Sequence, residues 1–232
     1  MKIHGLQKMT LLDYPGKVAC TIFTPGCNFR CPFCHNTPLV TDISSDTPYT
    51  PEDIFEFLNK RKGLLDGVCI TGGEPLMQSG IAEFIKTIKD MGFFVKLDTN
   101  GSFPDKLIDI VNSNNVDYVA MDIKNCKEKY ALTAGADIDI LPNIEKSIRF
   151  LINGNIDYEF RTTVVDELHT VPDIEKIAQW ILGAKHYFLQ PFFQNGDIVG
   201  KNEMHSPDKS TLIAMKKAAR TYIKTADLRG TD

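Results

Sequence analysis

The chain has 232 residues, of which 43% are hydrophobic, which is enough to bury a substantial core in one domain. The sequence contains 26 Lys and Arg against 30 Asp and Glu, a formal net charge of -4 without blocks of like charge, so a nucleic-acid-binding surface is disfavoured. The first residues lack a signal-peptide pattern, and no stretch approaches the roughly 20 apolar residues that span a bilayer. We therefore expect one cytoplasmic domain over residues 1–232 that binds neither nucleic acid nor membrane.

Six short runs rich in β-branched and aromatic residues predict buried strands. In chain order they span residues 18–23, 67–71, 93–98, 117–122, 156–165 and 186–190. Segments of helical period lie between them, and two of these begin with a hydroxyl residue before proline, at Thr50 and Ser206. Alternating strands and helices imply parallel strands joined by right-handed crossovers. We predict an α/β fold, a partial (β/α)6 TIM-like barrel with parallel strands, whose chemistry gathers at the strand C-termini.

The connection after the first predicted strand, residues 24–49, is long and shows no helical period. Long loops inside compact domains are usually functional. This loop contains Cys27, Cys31 and Cys34 in a C-x3-C-x2-C pattern. Three thiolates can each bind one iron of a [4Fe-4S] cubane and leave the fourth iron open, whereas most electron-transfer clusters use four cysteines. The three cysteines are therefore the predicted metal ligands and catalytic centre.

Three other interpretations of the cysteine loop compete. Residues 31–35 match the C-x-x-C-H pattern of c-type haem attachment, which would make the chain an electron carrier, although that attachment takes place outside the cytosol. A structural zinc site needs four ligands, and the sequence has no second C-x2-C or H-x3-H pair. Chance clustering of buried thiols is disfavoured by two cysteine pairs at ligand spacing. Cys20 and Cys69, by contrast, lie in apolar strands and are interpreted as buried thiols.

The cysteine loop, with an aromatic residue before its last cysteine, resembles the signature of the radical S-adenosylmethionine superfamily. Gly72-Gly73-Glu74-Pro75 after the second strand is similar to the GGEP segment of that superfamily. The match is closer to one branch, the activating enzymes of glycyl-radical proteins, and within it to the activating proteins of anaerobic ribonucleoside-triphosphate reductases. The segments that carry this closer resemblance are residues 12–17, 34–36, 98–100, 122–124 and 228–230.

The resemblance implies how a cofactor would be held. It places Phe33, Cys34 and His35 along the adenine, and it brings Lys124 to the carboxylate of the cofactor's methionine part. The cofactor-binding residues that it implies are Phe33, His35, Gly72, Gly73, Glu74, Asp98, Thr99, Asn100, Asp122 and Lys124. It also places Asp98, Thr99 and Asp122 near that carboxylate, where it leaves open a shared monovalent cation. Phe193 stands where some activating enzymes place a histidine, and Arg161 is expected to form an ion pair at the edge of the core.

The implied reaction is reductive cleavage of S-adenosylmethionine by the [4Fe-4S] cluster to a 5′-deoxyadenosyl radical. In this branch that radical takes a hydrogen atom from a glycine of a partner such as anaerobic ribonucleotide reductase, with flavodoxin or ferredoxin as the electron donor. Two alternatives stay open. One is a radical enzyme that acts on a small molecule, like 7-carboxy-7-deazaguanine synthase, and the other is an iron–sulfur electron carrier that does not cleave S-adenosylmethionine.

Overall fold

The structure is a computed structural model that describes residues 1–41, 48–193, 196, 198–200 and 203–231. Contacts between Cα atoms divide the chain into two compact units. Unit 1 comprises residues 1–28, 38–99 and 103–119, and unit 2 comprises residues 29–37, 100–102 and 120–232. The expectation of one domain over residues 1–232 stays a prediction. No helix among the described residues is long and apolar enough to cross a bilayer.

Unit 1 is built on four strands that follow one another in chain order. They are β1 (Gly5–Thr10), β2 (Ala19–Thr24), β3 (Gly67–Gly72) and β4 (Phe94–Thr99). β1 runs antiparallel to β2, while β2, β3 and β4 are parallel. The helices of unit 1 are the short α1 (Thr37–Val40), whose first residue belongs to unit 2, α2 (Pro51–Asn59), α3 (Ile81–Asp90) and α4 (Pro104–Asn112). Each parallel strand therefore ends at the same edge of this part of the sheet.

Local sequence explains where the helices of unit 1 begin and which face they bury. The Thr50 hydroxyl accepts from the Asp53 N–H at 3.2 Å, and the Asp53 carboxylate accepts from the Thr50 N–H at 2.8 Å. This reciprocal cap confirms the predicted start of α2. The isoleucines at 81, 85 and 88 recur at helical spacing, and all three are buried in α3.

Unit 2 contains the last three residues of β5 (Tyr118–Asp122) and three further strands. These are β6 (Asp157–Val164), β7 (Tyr187–Pro191) and β8 (Asp227–Leu228), which pair in parallel in that order. Its helices are α5 (Tyr130–Ala134), α6 (Leu141–Asn153), α7 (Val171–Trp180) and α8 (Lys209–Arg220). The strands β2 to β7 match the six predicted strands to within one residue at either end, so the parallel α/β class is confirmed.

Three local expectations differ from the structure. The predicted helix start at Ser206 is wrong, because Asp208 caps α8 by accepting from the Thr211 N–H at 2.7 Å. The strands β1 and β8 were not predicted, since β1 exposes Gln7, Lys8 and Met9 and β8 is only two residues long. The loop expected to lack helix contains α1, whose four residues are too few to show a period. Residues 42–47 of that loop lie outside the described residues.

Candidate active site

In unit 1, the end of β3 packs closely against the start of the cysteine loop. The Gly73 N–H donates to the Thr24 carbonyl at 2.8 Å, and the Glu74 N–H donates to the Gly26 carbonyl at 2.7 Å. A Cβ on Gly73 would lie 2.0 Å from the Gly26 carbonyl oxygen, and a Cβ on Gly72 would lie 2.4 Å from the Thr24 backbone. Gly72 also has a φ of 119°. Both positions therefore require glycine, since a side chain would separate the two segments.

Glu74, a predicted cofactor-binding residue, is hydrogen-bonded to Thr99, which is another. Its side chain is buried, and its Oε1 accepts from the Leu76 N–H at 3.0 Å and from the Thr99 hydroxyl at 2.9 Å. A further hydrogen bond fixes the start of the cysteine loop, because the Gly26 N–H donates to the Leu39 carbonyl at 2.7 Å. Cys27, which is half-buried, directly follows this anchored residue. The GGE segment and the first cysteine thus share one rigid part of unit 1.

Asp98 is paired with a buried lysine that the sequence analysis did not single out. Lys96 is 1% exposed and forms an ion pair with Asp98 through Nζ and Oδ1. The Cys69 thiol lies 3.7 Å from Nζ and 3.8 Å from the same Asp98 oxygen. Cys69 is the buried thiol that was predicted, as is Cys20. No sequence signal marks Lys96, because the contact becomes visible only when β3 and β4 pair.

In unit 2, the second part of the cysteine loop is fixed against the end of α5. The Arg30 N–H donates to the Ala134 carbonyl at 2.9 Å, and the Cys31 Sγ lies 3.5 Å from the same oxygen. A Cβ on Gly135 would lie 2.3 Å from the Arg30 carbonyl oxygen, so the chain after α5 also needs glycine. Cys31 is buried and Cys34 is half-buried. α5 therefore determines where Cys31 lies.

In unit 2, the predicted adenine-binding residue His35 lies beside Phe192, the residue that directly follows β7. Phe33 is buried, and the ring of His35 stacks on Phe192 with centroids 4.8 Å apart and planes 13° apart. Burial lowers the pKa of His35, so its ring is neutral at pH 7. Phe192 is the residue here that sequence reasoning missed. Phe193, at the position where some activating enzymes have a histidine, is 58% exposed.

Asp122 and Lys124 at the end of β5 form a charged cluster with Arg161. The Lys124 Nζ lies 3.0 Å from Asp122 Oδ2, and the Arg161 guanidinium lies 3.0 Å from Asp122 Oδ1, which confirms the expected ion pair. Burial opposes ionisation of Asp122, but Arg161 and Lys124 outweigh it and hold the pKa of that carboxyl below its usual range. Burial likewise opposes the Lys124 charge, yet interactions with Asp122 and Cys31 raise the pKa of Lys124. A permanent ammonium is thus maintained near Cys31.

Two further side chains surround Lys124. His169 is buried, and burial lowers its pKa, so the ring is neutral. Its Nε2 lies 2.8 Å from the Lys124 carbonyl oxygen, and its Nδ1 accepts from the Val165 N–H at 3.1 Å. It holds the backbone of Lys124 in place, and a lone histidine in the sequence gave no sign of this. The hydroxyl of Tyr130 is fully buried and makes no well-formed hydrogen bond with the described residues. Asn100 is engaged locally, since its Oδ1 accepts from the Ser102 N–H at 2.9 Å.

These observations fit an iron–sulfur cofactor. The three loop cysteines form no disulfide among the described residues, and Lys124 supplies positive charge near Cys31, which favours the thiolate that binds iron. The buried Tyr130 hydroxyl beside the same lysine makes no well-formed hydrogen bond with the described residues, and such a hydroxyl can donate to an added group. The described residues contain no group of three His, Cys, Asp or Glu side chains placed to hold a single metal ion.

Comparison with known proteins identifies the family. The model of the Radical SAM superfamily matches residues 21–172, which is more than half of the chain. The chain belongs to the radical SAM superfamily. Membership implies an enzyme that uses a [4Fe-4S] cluster and S-adenosylmethionine to generate radicals. MJ1227 of Methanocaldococcus jannaschii, named as a glycyl-radical enzyme activating enzyme, is 31% identical over 98% of this chain and 95% of its own length.

Two other similarities concern function and fold separately. A 7-carboxy-7-deazaguanine synthase of Methanopyrus kandleri is 30% identical over 72% of this chain and 70% of its own length. The solved structure of Streptococcus suis SuiB bound to precursor peptide SuiA has a TM-score of 0.72 and 13% identity, and covers 90% of this chain and 48% of that chain. This radical SAM chain therefore shares its fold with SuiB, in agreement with the predicted partial (β/α)6 barrel.

Proposed function

We propose that the chain is an activating enzyme that installs a glycyl radical on a partner enzyme, such as an anaerobic ribonucleotide reductase. The observation that carries the proposal is the match to MJ1227 over 98% of this chain and 95% of that protein. The match to the deazaguanine synthase covers a smaller share, 72% of this chain. The activase-like segments at residues 12–17 and 228–230 agree with a match that extends over most of both proteins.

The proposed cluster ligands are Cys27, Cys31 and Cys34, one thiolate for each of three irons. When bound, the [4Fe-4S] cluster supplies the electron that cleaves S-adenosylmethionine into methionine and a 5′-deoxyadenosyl radical. Lys124 keeps an ammonium near Cys31 and binds the carboxylate of the cofactor's methionine part by a charge-assisted hydrogen bond. His169 holds the backbone of Lys124 in the position that this contact needs.

The remaining cofactor contacts follow from charge and shape. Glu74 places a buried carboxylate at the end of β3, where it complements the positive amine of S-adenosylmethionine. Gly72 and Gly73 let the end of β3 pack against the cysteine loop, because neither carries a side chain, and this packing fixes the backbone that the amine approaches. The neutral ring of His35, stacked on Phe192, and the buried Phe33 offer an apolar surface for the adenine.

The acceptor in this proposal is a glycine of the partner protein. The 5′-deoxyadenosyl radical takes a hydrogen atom from the glycine Cα, which gives 5′-deoxyadenosine and leaves the unpaired electron on that carbon. The Cα must come within roughly 3–4 Å of the 5′ carbon for this transfer. A flavodoxin or ferredoxin supplies the electron for each cleavage. The chain's own task is to hold both reactants and to keep water away from the radical.

A second candidate function is radical chemistry on a small molecule, and the 30% identity to the deazaguanine synthase favours it over an electron carrier. The two candidates differ in the acceptor of the radical. Turnover of a pterin substrate with no partner protein would support the synthase. An electron carrier would pass electrons without forming 5′-deoxyadenosine.

The test is electron paramagnetic resonance after anaerobic reconstitution with iron and sulfide. The reduced protein is mixed with S-adenosylmethionine and the glycyl-radical enzymes encoded with it, the anaerobic ribonucleotide reductase first. A stable doublet that vanishes when the acceptor glycine is changed to alanine supports activation. The protein with Cys34→Ala serves as the control and should give no doublet. Formation of 5′-deoxyadenosine with no radical on any co-encoded glycyl-radical enzyme would overturn the proposal.

A further inference from the structure

The proposed function does not account for Lys96, a fully buried charged residue of unit 1. Its side chain is 1% exposed in the middle of β4. An unpaired ammonium at such a position is strongly unfavourable, so lysine is almost never fully buried without a partner. Asp98 lies two residues further along the strand and therefore points to the same face. The ion pair between Lys96 and Asp98 gives the lysine its partner.

The pair has an inner and an outer member. The Lys96 side chain is 1% exposed and that of Asp98 is 13% exposed, so the carboxylate lies nearer the open end of the strand. Cys69, opposite Lys96 in the parallel register of β3, completes the layer with its Sγ 3.7 Å from the ammonium. The positive charge is thus fixed behind Asp98 and is shielded from solvent.

Stability alone is a weak reason for such a pair, since apolar residues of similar volume often serve a buried site as well or better. Asp98 is also a proposed neighbour of the cofactor's carboxylate. Two carboxylates at short range repel unless a positive charge compensates for one of them. A dissolved monovalent cation is one source of that charge, and the Lys96 ammonium, already bound to Asp98, is another.

We propose that Lys96 is a positioning residue that supplies this charge permanently. S-adenosylmethionine binding by this chain then needs no dissolved monovalent cation. The proposal rests on the proposed function, and within it on the position near the cofactor's carboxylate that the resemblance implies for Asp98. Lys96 itself does not touch the cofactor in this account, and it acts by orienting and neutralising Asp98.

The test measures the Kd of S-adenosylmethionine by calorimetry on the reconstituted protein, with no partner enzyme present. The buffers contain potassium chloride, sodium chloride or tetramethylammonium chloride, whose cation is too large for a site between two carboxylates. The unaltered protein should give the same Kd in all three. In tetramethylammonium chloride the Lys96→Met variant should bind about ten- to a hundredfold more weakly, because the uncompensated Asp98 then repels the cofactor's carboxylate.

A readout that a merely structural role would not move is rescue. Potassium or methylammonium ions should restore part of the affinity of Lys96→Met, because each can replace the missing ammonium at Asp98. Cys69→Ser is the matched control, since it alters the same buried layer without changing its charge, and it should show no cation dependence. Affinity of the unaltered protein that collapses without potassium or sodium would overturn the proposal. Wild-type affinity of Lys96→Met in every buffer would overturn it as well.

Lys96→Met removes the ammonium paired with the Asp98 carboxylate, which destabilises a buried site, so a second variant guards against loss of folding. The double variant Lys96→Met with Asp98→Asn removes both charges together, which buried pairs tolerate. It should fold, bind S-adenosylmethionine about as tightly as the unaltered protein in tetramethylammonium chloride and gain nothing from potassium, because residue 98 then carries no charge that repels the cofactor's carboxylate. Weak binding by the double variant in all three buffers would show that the substitutions act by disturbing the buried layer and would overturn the proposal. Absence of S-adenosylmethionine binding by the unaltered protein would overturn both proposals, whereas binding without a glycyl radical would overturn only the proposed acceptor.

Discussion

Replacing Gly73 with alanine tests the close packing of the GGE segment against the cysteine loop. The added Cβ would lie 2.0 Å from the Gly26 carbonyl oxygen, and real Cβ contacts are not shorter than 3.0 Å. The two backbone segments must therefore separate by about 1 Å, the difference between these two distances. Cys27 directly follows Gly26, so the first proposed cluster ligand moves with the loop.

The size of the effect follows from the bonds that join the segments. Separation weakens the hydrogen bonds from Gly73 to Thr24, at 2.8 Å, and from Glu74 to Gly26, at 2.7 Å. Each contributes about 0.5–1.5 kcal/mol, so the free energy of unfolding should fall by about 1–3 kcal/mol. A misplacement of about 1 Å at a reacting centre can lower a rate about a hundredfold. We expect a loss of that order in the rate of 5′-deoxyadenosine formation.

The assay is chromatography of 5′-deoxyadenosine from dithionite-reduced protein, with denaturant unfolding of the same samples. Gly92→Ala is the matched control, because Gly92 has a φ of 94° and no described atom lies within 4 Å of its added Cβ. An alanine at this positive φ costs about 1–2 kcal/mol of backbone strain. Gly92→Ala should therefore lose a similar amount of stability, at a site just before β4. It should keep the rate of cleavage. A Gly73→Ala protein with the unaltered rate, or an equal loss of rate in Gly92→Ala, would refute the reasoning.

Three further outcomes are expected. Cys31→Ala should abolish the reconstituted cubane, measured by iron content and absorbance. Cys20→Ala should keep it, because the Cys20 thiol is buried and its pKa is raised to about 12. A full cluster in Cys31→Ala would contradict the ligand assignment. Lys124→Met should raise the Kd of S-adenosylmethionine about ten- to a hundredfold in calorimetry on samples matched in iron content, and an unchanged Kd would move the carboxylate contact elsewhere. Thr50→Ala removes the cap of α2 and should lower the free energy of unfolding by about 1 kcal/mol in urea titrations. The affinity for S-adenosylmethionine should be preserved. An unchanged free energy of unfolding would show that the cap is dispensable.

The strands and the motifs at their ends were predictable because they depend on local pattern. Buried strands such as β3 are nearly continuous apolar runs, whereas β1 is mostly exposed and carries no such run. The contacts of Lys96, His169 and Phe192 were not predictable, because each arises where segments distant in sequence meet. A single lysine or histidine in a sequence has no period and no spacing that could reveal its partner.

The measurement that tests the central claim most directly follows a hydrogen atom. The partner enzyme is produced with glycine deuterated at Cα and is mixed anaerobically with the reduced protein and S-adenosylmethionine, and the mass of the 5′-deoxyadenosine is determined. A glycyl-radical enzyme activase moves deuterium from the glycine Cα to the 5′ carbon, so the product should gain about one mass unit, in step with the radical counted by electron paramagnetic resonance. Unlabelled 5′-deoxyadenosine formed while the partner retains its deuterium would contradict the account.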